Sequence, residues 1–149
     1  MLLKDICTPD VVSCAADRTA LHAARLMREH HVGDVIVVED AESDPSPIGV
    51  VTDRDIVVEV LGKELDPARV TLREVMRTPV VIASTCEDLA QAVDRMKFQG
   101  VRRIPVVDEN SRLVGVFSLD DLLKRLAVEA ASIADIVARE QDRERRMRR

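Results

Sequence analysis

Thr19 to Asp40 reads TALHAARLMREHHVGDVIVVED. This stretch decides the fold because its hydrophobic period changes part-way. Ala20, Ala23, Ala24 and Met27 recur at the spacing of an apolar stripe along a helix. From Val35 to Val38 the chain becomes β-branched and continuous, the habit of a short buried strand. Thr19 stands just before the stripe, where its hydroxyl can accept from the free N–H groups of a first turn, so it reads as an N-cap. The same design returns at Asp88 to Glu109, DLAQAVDRMKFQGVRRIPVVDE. Ala92 matches Ala23, Met96 matches Met27, Val101 matches Val32, and Ile104 to Val107 match Val35 to Val38. Asp88 takes the place of Thr19, and Gln91 can reach back to complete a capping box. The two methionines read as core packing.

The likeness extends outward in both directions, which makes the chain an internal repeat. Upstream, LKDICTPDVVSC and LREVMRTPVVIAS align on their Thr-Pro pairs, with one extra residue in the second copy. Val11, Val12 and Val80, Val81 read as short extended segments. Downstream, PIGVVTDRDIVVEVL aligns with LVGVFSLDDLLKRLA. Each unit is therefore expected to be β-α-β-β-α, an α/β (α+β) arrangement repeated twice about a pseudo-twofold axis. Pro105 cannot donate to a ladder, which predicts a strand edge or a strand start there. The second helices are expected from Asp53 to about Leu61 and from Leu119 to about Ala127. Gly62 ends the first of these and Pro67 breaks the chain. Thr71 and Glu74 then form a capping box. The expected organisation is repeat one at 1–62, a linker at 63–70, repeat two at 71–127 and a charged C-terminal helix or tail at 128–149. Neither copy alone would bury much core, so the two are expected to share one.

Composition narrows the function. With 46% hydrophobic and 33% charged residues, the chain reads as an ordinary soluble protein. It holds no apolar run of the ~20 residues a membrane span requires and no signal-peptide pattern at MLLKDICTPD, so a cytoplasmic address is expected. A net charge of −5 and an absence of Trp and Tyr speak against nucleic-acid binding by the body of the protein. Cys7, Cys14 and Cys86 match no zinc spacing and no disulfide framework, even with His22, His30 and His31 counted as partners. No nucleophile-base set, metal motif or Walker loop is present, so no enzyme is expected. The arginines near the C-terminus alternate with acids and read as a solvated helix end.

What remains is the pair of turns GVVTDRDI (Gly49–Ile56) and GVFSLDDL (Gly115–Leu122). Thr52 with Asp55, and Ser118 with Asp121, fit a capping box. The same atoms can serve a ligand. A helix N-terminus offers free N–H groups to a phosphate, and an aspartate can accept both hydroxyls of a ribose diol. The preceding glycine leaves room for close approach to the strand. A helix cap does not require Asp at the same place in both copies.

With these turns, the Thr-Pro pairs, the AARLM and AVDRM helices and RRIPVVD, residues 2 to about 127 resemble a tandem pair of CBS domains, the Bateman module. The resemblance implies a non-catalytic regulatory module that binds adenosine nucleotides, AMP, ADP or ATP, in two clefts between the repeats. S-adenosylmethionine and NAD share the adenosine and rank behind them. It assigns Asp121, Ser118 and Val116 to one cleft, whose base lies against Thr8, Ser13, Val32 and Gly33. It assigns Asp55, Thr52 and Val50 to the other, whose base lies against Thr78, Ala83 and Val101. Arg102 and Arg103 are candidate phosphate ligands, or else ordinary surface charges. Gly33 and Asp34 stand at their places in repeat one, where the aspartate disfavours a phosphate. A homodimer, an energy-sensing role and a separate regulated protein are further implications. The alternative is a ligand-independent adaptor with vestigial clefts.

Overall fold

The structure, a computed structural model, describes residues 1–148. The expected β-α-β-β-α order is present in both repeats. In repeat one, β1 (Ser13–Ala15), β2 (Asp34–Asp40) and β3 (Asp44–Thr52) form a sheet in that order. β1 runs parallel to β2, and β2 antiparallel to β3. A parallel pair needs a crossover, which α1 (Ala20–His30) supplies. Repeat two repeats the scheme with β4 (Ala83–Ser84), β5 (Arg103–Val107) and β6 (Leu113–Ser118), crossed over by α4 (Leu89–Gln99).

The caps stand where the sequence put them. Thr19 accepts from the His22 N–H at 3.2 Å. Asp88 and Gln91 form a capping box, as do Thr71 and Glu74 at α3 (Leu72–Val75). α1 buries Ala20, Ala23 and Met27; α4 buries Ala92 and Met96. Both helices end on a left-handed residue, His31 at φ 55° and Gly100 at φ 65°. α2 (Asp53–Asp55) continues into the π-helical turn Ile56–Leu61.

Four expectations need correction. The first strands start at Ser13 and Ala83, so Val11, Val12, Val80 and Val81 only lead into them. Pro105 lies inside β5, the central strand. It is tolerated because β4 pairs only with Val106 and Val107. The counterpart of Pro105 in repeat one, Ile36, donates to the Val12 carbonyl at 3.0 Å. That bond is impossible for proline, and β4 is correspondingly shorter than β1. The second helix of repeat two does not end near Ala127: α5 runs unbroken from Leu119 to Met147. The helix contains no glycine or proline to stop it.

The fourth correction concerns the register of the repeats. Thr8 bridges Val116, and Arg77, not Thr78, bridges Val50. Cys14 pairs with Val37, and Ala83 with Val106. The structural counterparts are therefore Thr8 and Arg77, Ser13 and Ile82, Cys14 and Ala83. The same spacing separates Leu3 from Leu72 and Thr19 from Asp88, so there is no extra residue in the second copy. The matching Thr-Pro pairs are offset by one position.

These bridges show that the lead-in segments are exchanged. The segment before repeat one lies on repeat two, where Leu2 bridges Asp88 and Thr8 bridges Val116. The segment before repeat two lies on repeat one, where Thr71 bridges Thr19 and Arg77 bridges Val50. Leu3 and Leu72, the anchors of the two lead-ins, are fully buried. The exchange makes each repeat depend on the other for its core, with Leu72 packed among Cys14, Ala23, Val35 and Val51 of repeat one.

Met1–Phe117 forms one compact unit, and the chain from Ser118 onward forms a second. The second is essentially α5, which buries no residue and leaves Leu123, Leu126, Ile133 and Ile136 exposed.

Candidate functional site

The turn after β3 is built as a reciprocal cap. Thr52 Oγ1 accepts from the Asp55 N–H at 3.1 Å, and the Thr52 N–H donates to Asp55 Oδ2 at 2.9 Å. The other carboxylate oxygen, Oδ1, is taken by Arg77, with Nε at 2.8 Å and Nη2 at 2.7 Å. Asp55 is buried. Burial pushes its carboxyl up, but the Arg77 hydrogen bond, the Thr52 contacts and the Arg77 charge outweigh it, holding the group below its ordinary range. Arg77 reaches Asp55 because its backbone pairs with Val50, its N–H donating to the Val50 carbonyl at 2.9 Å.

The glycines of the two turns serve this crossing. A Cβ at Gly49 would lie 2.6 Å from Met76 Sδ, and one at Gly115 would lie 2.8 Å from Cys7 Sγ and 3.1 Å from the Thr8 carbonyl oxygen. The close approach expected of a ligand is made here by the exchanged lead-ins themselves.

A cavity of about 520 Å³ opens in repeat one between Asp10, Val11, Val12, Ser13, Leu26, His30 and Val32. Of the residues expected to meet a base there, Ser13 and Val32 line it. Thr8 lies beside it in sequence on the Val116 bridge, and the Gly33 carbonyl accepts from the Asp53 N–H at 2.9 Å. Repeat two differs at the matching places. Ala83 is buried within β4 at 1% exposure and cannot wall a cleft; Ile82 holds the position of Ser13. Arg95 holds the position of Leu26 and donates to the Ile82 carbonyl. Its other terminal nitrogen is 2.9 Å from Glu87 Oε1. Thr78 is exposed and Val101 half-buried.

Arg103 forms an ion pair with Asp34. The two residues open β5 and β2 at equivalent positions, so a contact between them spans the local twofold axis. Burial pushes the Asp34 carboxyl up, against the pull of Arg103. Asp34, expected to repel a phosphate in repeat one, instead neutralises the arginine of repeat two. Arg102 is exposed.

Within the second unit, Ser118 caps α5. Its Oγ accepts from the Asp121 N–H at 3.1 Å and donates to Asp121 Oδ2. Lys124 Nζ lies 4.0 Å from Asp121 Oδ1. Asp121 is half-buried, more open than Asp55. Among the described residues, no cluster of His, Cys, Asp and Glu could hold a metal, and no helix is long and apolar enough to cross a membrane.

The CBS domain family model matches residues 3–62 and 72–128. The chain belongs to the CBS domain family. The Bacillus subtilis CBS domain-containing protein YhcV is 34% identical over 89% of this chain and 91% of its own length. An uncharacterized protein of Methanopyrus kandleri is 33% identical over 80% of this chain, but that match spans only 60% of the longer archaeal protein. Hypoxic response protein 1 of Mycobacterium tuberculosis, solved with two coordinated zinc ions, superposes with a TM-score of 0.74 at 31% identity, covering 84% of this chain and 98% of its own. A CBS domain protein of Pyrobaculum aerophilum, solved in complex with AMP, superposes with a TM-score of 0.74 over 89% of this chain and 99% of its own; at 22% identity it speaks to the fold alone.

Two residues of this CBS pair escaped the sequence reading, Arg77 and Arg95. An alignment without a gap would have found both, because it sets Arg77 against Thr8 and Arg95 against Leu26. The shared Thr-Pro dipeptide outweighed that even spacing.

Proposed function

We propose that this CBS pair is a non-catalytic regulatory module that binds an adenosine nucleotide, AMP, ADP or ATP, and signals to a separate protein by a change of conformation. The cavity in repeat one carries the reading. Valines and Leu26 offer flat apolar contact, while Ser13, Asp10 and His30 supply polar groups at its rim. That mixture suits a heteroaromatic base, and the volume lies within the range of small-molecule sites. The fold is one that can hold AMP, as the Pyrobaculum aerophilum protein of the same fold does. By the resemblance of its turn to those of CBS pairs, we assign the ribose diol to Asp121, with Ser118 beside it. A ligand that binds one conformation better shifts the population toward it, which is how a chain without catalytic groups can regulate.

Calorimetry with AMP, ADP and ATP tests this. Binding to the wild type and a loss of at least tenfold in affinity for Asp121→Ala are expected. An absence of binding to the wild type refutes the reading. The exposed apolar residues of α5, Leu123, Leu126, Ile133 and Ile136, favour a homodimer and support a second reading, a ligand-independent adaptor. Dimerisation that survives while no nucleotide binds would select it.

A further inference from the structure

α5 buries none of its residues between Leu119 and Met147, yet its apolar side chains are not scattered. Leu119, Leu123, Leu126, Ala130, Ile133 and Val137 follow one another in alternating steps of four and three. That is the a/d repeat of a coiled coil, in which each seam side chain enters a hole on a facing helix. Leu123, Leu126, Ile133 and Val137 are exposed over about half of their surface, along a seam about 27 Å long. We infer that this seam is covered by α5 of a second copy of the chain, lying antiparallel to it. The inference deepens the homodimer named above and does not depend on a nucleotide.

The seam fits itself when read backwards. In an isologous pair, where one residue meets another, the second also meets the first. In the antiparallel register Leu119 meets Val137 of the second copy, Leu123 meets Ile133, and Leu126 meets Ala130, and each layer forms twice. The leucines nearest the centre face the smallest seam residue, which fills the space between the helices without voids. Leu122 and Ile136, at the edge of the seam, come together in the same register.

A parallel pair fits worse. Ala130 would face Ala130 between layers of larger residues and leave a gap. The next seam positions after Val137 are Glu140 and Glu144, and a parallel pair would set each against its own copy. In the antiparallel pair the layers close at Leu119 and Val137, so these glutamates meet no acid of the facing α5. Glu129 does approach its own copy at the centre. Arg125 Nε lies 3.3 Å from Glu129 Oε1, so each copy brings its own counter-charge and the cluster is neutral. The flanks also argue against a lipid surface as the occupant. Asp120, Asp121, Glu129 and Asp135 mix with Lys124 and Arg125, whereas a helix lying on a membrane is rich in Lys and Arg there.

Sedimentation of the full chain tests the inference. The wild type should have twice the mass of the 16.6 kDa chain. Ile133→Asp puts a charge into the seam and should weaken the dimer at least tenfold. Val128→Asp, on the opposite side of the helix and 66% exposed, should leave the dimer intact. Both positions are exposed in the single chain, so both variants should keep the helix content of the wild type by circular dichroism. Disulfide trapping reads the orientation, in a Cys7→Ser, Cys86→Ser background that leaves only the buried Cys14. Leu123→Cys and Ile133→Cys should form no disulfide dimer separately and should link when mixed. A monomeric wild type overturns the inference together with the homodimer. A dimer that Ile133→Asp leaves intact overturns the inference alone and places the interface elsewhere. Ile133→Cys linking to itself, or no link in the mixture, overturns the antiparallel pairing.

Discussion

At Asp55, burial and hydrogen bonding pull in opposite directions, and the hydrogen bonds win. The carboxyl is held below its ordinary value, so the folded state binds its proton less tightly than the unfolded chain. By linkage, its contribution to stability is complete above the unfolded value of about 3.9 and is lost as the pH falls through the lower folded value. Removing the charge should flatten that acid limb. Chemical denaturation of Asp55→Asn is expected to show a loss of about 1–2 kcal/mol at pH 7, from the broken cap and the unmatched Arg77. The gap to the wild type should narrow steadily below pH 4. A gap of constant size down to pH 2 would mean that Asp55 is not ionised in the fold. Asp34 has the opposite sign: burial raises it, so its proton is favoured in the folded state and it adds nothing to this acid limb. The cap between Thr52 and Asp55 was legible in sequence, since both residues belong to a local pattern. Arg77 was not, because the contact joins residues 22 positions apart and depends on which segment crosses which strand.

Local elements were read well wherever their cause was local. Helix caps, apolar stripes and the β-branched runs of β2 and β5 follow from neighbours a few residues away. The exchanged lead-ins have no local signature, and the glycines beside them were consequently misread as room for a ligand. Gly49 is small because Met76 passes over it, and Gly115 because Cys7 and the Thr8 backbone pass over it. The two positions should therefore respond differently to the same change. Gly49→Ala meets the flexible end of a methionine, and a cost of about 1–3 kcal/mol is expected from overpacking. In a Met76→Ala background most of that cost should disappear, which a double-mutant cycle measures directly. Gly115→Ala meets a carbonyl as well as a thiol, and Cys7→Ala should relieve only part of its cost. Equal rescue at both positions would contradict the crossing described here.

Within Met1–Phe117 the two repeats meet at Asp34 and Arg103, equivalent positions that pair with one another. In a perfectly symmetric repeat this position would bring a residue against its own copy. Two aspartates or two arginines would repel, at a site where the Asp34 side chain is 13% exposed and that of Arg103 39%, so solvent screens the repulsion only in part. Opposite signs remove the conflict, so the repeats must differ here for the pair to close. The sequence displayed both residues, and the resemblance suggested phosphate contacts for the arginine; only the closed arrangement of repeats reveals that they face one another. Asp34→Arg should bring two guanidinium groups together and destabilise the protein by about 1–2 kcal/mol, less than a fully buried pair because Arg103 stays 39% exposed and solvent screens part of the repulsion. Arg103→Asp should do the same with two carboxylates. The double exchange, Asp34→Arg with Arg103→Asp, restores opposite charges and should recover most of the loss, to within about 1 kcal/mol of the wild type. Thermal unfolding of the four proteins at low and high salt checks this: salt should help both single variants more than the exchanged one. If the exchanged protein is no more stable than the singles, the arginine is held by something other than its symmetry mate, and its assignment to a phosphate regains force.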